Sequence, residues 1–270
     1  KKYSYQMHFN YAKNNEDGSA DDNWNKAVAN EAFRQAIYYG LDFTTYMGRT
    51  NFINPMHCEN NAYTMKGLLY FSDGTDYTDK VAEGLGLPES DGKTPRRLDA
   101  DKAAEYKAQA MEELKAEGVT FPVEMDYYII AGAQNALDTA TVLQQAVSKC
   151  LGDDFVKLNI GTYVSSQTKE VVQPRLHSFV INGWGADYGD PQNYLGQETY
   201  GEDTAYYSMN YSNVNDSKDE DLIATYKEFT DLVNAANAIT DDMDKRYQAY
   251  VDAEVFMLNH ALSVPVQLEV

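Results

Sequence analysis

From residue 3 to residue 11, large apolar side chains (Tyr3, Tyr5, Met7, Phe9, Tyr11) alternate with Ser4, Gln6, His8 and Asn10. That is the period of a strand with one buried face. A polar loop over residues 13–22 leads to Trp24 and a helix over about residues 30–41, in which Ala32, Phe33, Ala36 and Ile37 recur at helical spacing. Residues 50–98 are rich in Gly, Pro and Asn, with short periodic segments such as 77–85; long irregular stretches of this kind often border a ligand. Asp99 caps a helix over residues 101–117 with Ala103, Tyr106, Ala110, Met111 and Leu114 on one face, and Gly118 ends it. A strand over 121–130, a helix over 135–150 (Leu137, Ala140, Leu143, Val147, Cys150), a strand over 155–164, a helix-like turn over 166–172 and a strand over 178–182 follow. This order predicts an α/β fold, a mixed sheet flanked by helices, with ligands bound in the crevice at the strand ends. Two helices, 222–236 and 242–258, then carry apolar stripes expected in the core: Ile223, Tyr226, Phe229 and Val233 on the first, Met243, Tyr247, Tyr250, Val251 and Met257 on the second. A strand over 263–270 closes the chain.

The candidate chemistry concentrates in residues 183–193, Gly183-Trp184-Gly185-Ala186-Asp187-Tyr188-Gly189-Asp190-Pro191-Gln192-Asn193. The apolar run before it reads as a buried strand that Gly189 and Asp190-Pro191 stop, so Asp187 falls near a strand's C-terminal end. A carboxylate there either meets a cation or bonds the amides of its own turn, and local chemistry favours neither. Trp184 either floors a side-chain pocket or packs as core. Asp190, with Pro191 behind it, is expected to brace the turn.

The run Trp184-Gly185-Ala186-Asp187-Tyr188-Gly189-Asp190-Pro191 resembles the Trp-x-Ala-Asp-Tyr-x-(Asp/Glu)-Pro signature of the peptide/dipeptide/nickel solute-binding family, the extracellular oligopeptide-binding proteins of ABC importers. Two further stretches are similar to the same family in the expected order: Asn30-Glu31-Ala32-Phe33-Arg34-Gln35-Ala36-Ile37-Tyr38-Tyr39-Gly40-Leu41-Asp42, and the tail from Arg246 to Pro265. The likeness is to streptococcal-type lipoproteins. It implies that Asp187 holds the α-ammonium of a bound peptide while main chain at Asn182, Gly183 and Gly185 pairs with the peptide backbone, a mode indifferent to side-chain identity. Trp184 and Tyr188 would border the ligand. It further implies delivery to the permease subunits of an importer, an extracellular lipoprotein held to the membrane by a missing N-terminus, and no cofactor. Residues 1–270 would be one C-terminal ligand-binding lobe, cut at two neighbouring strands of a longer two-lobed chain, with its ends close together. The pattern departs at Ile181 and Asn182, where enteric members carry an arginine that helps hold a ligand carboxylate; Arg175 lies nearby in sequence.

Charge and cysteine usage narrow the alternatives. Against 42 acidic residues there are 22 basic ones, a formal charge of −20, which repels polyanions and argues against nucleic acid as a partner. No run approaches the roughly 18 apolar residues of a spanning helix. Cys58 and Cys150 fit no metal spacing and read as free or buried thiols, with a single disulfide left open. A monomer is expected.

Among rival readings, a carboxylate hydrolase could draw on Asp187, Asp190 and Glu198, supported by proximity in sequence alone. No nucleophile elbow surrounds Ser178 or Ser208, and His8, His57, His177 and His260 are scattered without zinc spacing. Residues 213–219 hint at a calcium loop but lack its glycine and its final acid. A peptide or pheromone sensing receptor is the alternative within the binding class.

Overall fold

The first and last strands of the chain lie side by side. β1 (Tyr3–Phe9) is antiparallel to β5 (Ser263–Glu269) on one flank and to β4 (Phe179–Trp184) on the other. β2 (Val123–Ile130) and β3 (Val156–Tyr163) form a separate parallel pair. The computed structural model describes residues 3–269, in which Tyr3 faces Glu269; Lys1, Lys2 and Val270, the end of the strand expected over 263–270, lie outside the described residues. The helices are α1 (Asp22–Ala29), α2 (Glu31–Gly40), α3 (Thr44–Met47), α4 (Tyr77–Gly84), α5 (Ala100–Ala116), α6 (Gln134–Leu151), α7 (Gln192–Leu195), α8 (Tyr206–Asn210), α9 (Glu220–Asn237) and α10 (Met243–Asn259).

Sheets flanked by helices match the expected α/β class, with one refinement. The strand ending at Trp184 does not extend the β2–β3 pair; it zips to β1, and the two sheets meet where Ser178 N–H donates to the Asp126 carbonyl (2.9 Å) and Asp126 N–H to Ser178 Oγ (2.7 Å). Caps account for the helix boundaries. Asn30 accepts from Phe33 N–H, Asp99 from Lys102 N–H and Asp242 from Lys245 N–H, as side-chain acceptors at a helix N-terminus do. The same device at Asp21, accepting from Trp24 N–H, starts α1, a helix the polar loop concealed. The expected stripes bury Phe33, Ile37, Leu114, Leu143, Phe229 and Val251, whereas Leu137 and Met243, each in the first turns of its helix, stay 42% and 49% exposed. No disulfide joins Cys58 to Cys150.

Ladder parity decides which backbone groups of β4 are available. Asn10 N–H bonds the Ser178 carbonyl, and bonded pairs in an antiparallel ladder alternate, so Gln6–Asn182 and Ser4–Trp184 exchange bonds while Ile181 and Gly183 turn theirs to the outer edge. Pro265 agrees: it faces Gln6 in the non-bonded position toward β5, where its missing N–H would have pointed away from β1. Gly183 sits under the Tyr5 ring, and a Cβ there would lie 2.7 Å from Tyr5 Cζ.

Alternation predicts one buried face for β1, yet both are buried. The reason is the irregular segment 50–98, much of which is structural. Its Asn60 donates to Ser4 Oγ (2.9 Å), and its Ala62 carbonyl accepts from Gln6 Nε2 (3.1 Å), so the polar face of β1 is hydrogen-bonded under cover. Phe52 and Ile53, by contrast, are almost fully exposed. Deeper in this layer His8 stacks on Tyr207 (4.4 Å) and lies 3.0 Å from Glu198, at a poor angle for a hydrogen bond. Glu254, fully buried, accepts from Thr64 Oγ1 at 2.5 Å, and Tyr77 also faces it.

Burial pushes the Glu254 carboxyl up to about 7. The native state then keeps a proton that the unfolded chain loses near pH ~4.3, so this group's contribution is full at low pH and is lost as pH rises through about 7. His177, pushed down to about 4 by burial, slopes oppositely below its ordinary value. Glu254→Gln should therefore be most stabilising, relative to the parent, at the alkaline end when urea unfolding is compared at about pH 5 and about pH 8. An unchanged difference between the two would show that Glu254 ionises freely in the fold.

Candidate functional site

Past Trp184 the chain leaves β4 and turns back through residues 185–191 into α7. One side chain organises that turn. Asn193 Oδ1 accepts from both Trp184 Nε1–H (3.0 Å) and Asp187 N–H (2.8 Å), and its Nδ2 lies 3.5 Å from Asp187 Oδ2. Indole and acid are thus held by a single carboxamide.

A second fastening lies behind the turn. Asp190 meets Arg246 of α10 through two parallel contacts, Nε to Oδ2 at 2.9 Å and Nη2 to Oδ1 at 3.1 Å, the bidentate geometry of strong carboxylate pairs. The same guanidinium donates to the carbonyls of Ala236, Asn237 and Ile239 at the end of α9. The hydrogen bond that Arg246 donates to Asp190 holds the guanidinium above its ordinary pKa. Asp190 also accepts from Gln192 N–H (2.9 Å), starting α7. It braces the turn, as expected of an acid beside Pro191.

Each residue expected at the site can now be located. Asp187 is solvent-exposed, and among the described residues no Lys, Arg or His lies within ion-pair distance of it. Trp184 is half-buried, with one side against the core and Tyr207 at its edge (6.5 Å). Its other side helps bound a recess of about 370 Å³ shared with Tyr188, Asn193 and Tyr206. Tyr188 is 51% exposed and hydrogen-bonded to Gln192. Gly183 presents its backbone to the open edge of β4, where its carbonyl accepts from Tyr207 Oη (3.3 Å); no described strand pairs there. Gly185 lies just beyond the strand, half-buried. Asn182 corrects the expected set: its place opposite Gln6 directs its main chain into the sheet, away from that edge.

The acids of the hydrolase reading do not converge. Asp190 is neutralised by Arg246, Glu198 is 2% exposed beside His8, and Asp187 faces solvent. Arg175 is paired with Asp216 (2.5 Å) before the start of β4, away from Trp184. Sequence reasoning missed Asn193, although it closes the run already singled out, and Arg246, whose partner lies 56 positions away.

Two consequences can be measured. Arg246→Met strands Asp190 and three helix-end carbonyls; partial exposure lowers the usual cost of splitting a buried pair to about 2–4 kcal/mol, readable by chemical denaturation. Asn193→Ala should cost about 1 kcal/mol and shift the emission of Trp184 to the red, while Trp24, 1% exposed, supplies an unchanged background. An unaltered spectrum would mean that Asn193 does not hold the indole.

The sequence profile of the bacterial extracellular solute-binding proteins, family 5 Middle, matches residues 1–206. The oligopeptide-binding protein AliA of Streptococcus pneumoniae is 26% identical over 261 residues, covering 89% of this chain and 38% of AliA. The substrate-binding domain of an oligopeptide ABC transporter from Bacillus anthracis superposes with a TM-score of 0.68 at 20% identity, over 99% of this chain and 44% of that one. Listeria monocytogenes OppA, solved bound to peptide, gives 0.66 at 20% identity over 98% and 43%. The chain thus spans about 38% of the length of the curated relatives it matches. With the profile matched over most of its residues, the chain belongs to the bacterial extracellular solute-binding proteins of family 5.

Proposed function

We propose that this chain is a ligand-binding lobe of an oligopeptide-binding protein that serves an ABC importer. The single observation that carries the reading is the exposed carboxylate of Asp187, without an ion-pair partner among the described residues, at the end of an edge strand, its loop held by Asn193. A peptide's α-ammonium meets that carboxylate, and its backbone pairs along the outer edge of β4 at Gly183 and Ile181. Trp184 and Tyr188 border the side chains. Support comes from family membership, from AliA, named an oligopeptide-binding protein, and from Listeria OppA, solved with a peptide.

In this reading a second lobe closes on the first around the ligand. The share of each relative that the chain spans is what favours it. The whole protein works outside the cell as a monomer, held at the membrane by a lipid, and hands peptides to the permease subunits without altering them. A charge of −20 keeps nucleic acids away.

Titration calorimetry on the full-length protein tests the central contact. Asp187→Ala should weaken a free peptide by about 1.5–3 kcal/mol, the worth of a charge-assisted hydrogen bond. An N-acetylated peptide should lose as much against the parent protein and nothing further against the variant, as a double-mutant cycle requires of two groups in contact. Additive losses would place the ammonium elsewhere, and peptides recovered cleaved would return the hydrolase reading.

A further inference from the structure

We infer that the recess beside Trp184 selects a peptide side chain with an aliphatic stem and a cationic, hydrogen-bond-donating tip, that of lysine or arginine. The inference rests on the peptide-binding reading and adds to it the preference of one subsite.

The walls are aromatic: Trp184, Tyr188 and Tyr206. Three carboxamides also border the space, and two of their three acceptor oxygens are spent. Gln192 Oε1 takes the Tyr188 hydroxyl, Asn193 Oδ1 takes the indole and the Asp187 amide, and Gln197 Nε2 donates to the Asn193 carbonyl at 2.9 Å. Left over is Gln197 Oε1, an acceptor with no hydrogen-bond partner on a residue only 6% exposed. A buried acceptor without a donor is costly, and a ligand that supplies the donor recovers that cost. A second free acceptor is the exposed carboxylate of Asp203, which has no ion-pair partner among the described residues. No Lys, Arg or His lines the recess.

Two acceptors therefore wait for donors, one neutral and buried, one charged and at the rim. An ammonium offers three donors and a guanidinium five, and neither has an acceptor to leave stranded. The aromatic walls suit the stem of such a side chain and attract its charge through their faces. A glutamate would bring a like charge to Asp203 and no donor to Gln197; a leucine would fill the space and leave Gln197 unpaired. Other recesses of similar size offer less: beside Asp126 and Asn159, for example, the buried Lys13 is already held by Asp126 (2.9 Å) and Asp21 (3.0 Å).

Calorimetry on the full-length protein with an alanine hexapeptide series, in which norleucine, lysine or glutamate replaces each position in turn, decides the matter. At one position near the amino end lysine should bind at least tenfold more tightly than norleucine, and glutamate more weakly than either. Asp203→Asn and Gln197→Met should each reduce that lysine-to-norleucine ratio several-fold, whatever becomes of the norleucine affinity itself. A ratio near one at every position, a ratio equal at all positions as the overall negative charge alone would give, or a preference unmoved by both variants overturns the subsite assignment and leaves peptide binding standing. If no member of the series binds, both readings fall.

Discussion

Helix C-termini leave carbonyls that must find donors, and this chain meets that demand with arginines, two of them buried. Arg34, 1% exposed, donates to Val28 and Ala29 at the end of α1 and to His260 and Ala261 at the end of α10. Arg97, 3% exposed, reaches Tyr38 and Leu41 at the end of α2. Arg246 does the same for α9. The planar fork of a guanidinium can serve several carbonyls at once, which an ammonium on a flexible stem cannot copy. In a chain with so few basic residues, these positions fix how the helices stack around the sheets.

The candidate site inherits its geometry from one of these arginines. Arg246 gives Nε and Nη2 to Asp190 and Nη1 to the end of α9, so the turn after β4 is tied to the α9–α10 pair across a long stretch of sequence. Asn193 then sets the indole and the amide of Asp187 with the two lone pairs of one oxygen. The division of labour is between an acid that is neutralised and an acid that is not. Asp190 and Asp187 stand three residues apart with opposite fates, because one faces a guanidinium and the other faces solvent.

Much of this was legible in the sequence. Apolar periodicity located the long helices and the strands, since burial imposes it directly, and the Trp-Gly-Ala-Asp-Tyr run marked the turn that carries the indole and the free acid. What stayed hidden has physical causes. The pairing of β4 with β1 is a contact across most of the chain, which local pattern does not encode. Alternation on β1 predicts one buried face because it cannot reveal the loop that hydrogen-bonds Ser4 and Gln6. Asn182 was read as a partner for ligand backbone because parity depends on the neighbouring strand, known only once Gln6 is seen opposite. Asn193 escaped because its role lies in which groups it bonds, a matter of rotamer and not of residue type.

Pro265 makes the three-stranded sheet asymmetric in its capacity to grow. Toward β5 the ring removes a donor that an incoming strand would need, and the register shift between Tyr5 and Gln6 skews the line of approach. Toward β4 no proline stands, but the Gly183 carbonyl already accepts from Tyr207 Oη, and the run of outward groups is short, ending where the chain swings away at Gly185. On the proposed reading the sheet is lengthened from that side only and by one brief segment, without the unlimited stacking by which exposed edges seed aggregates.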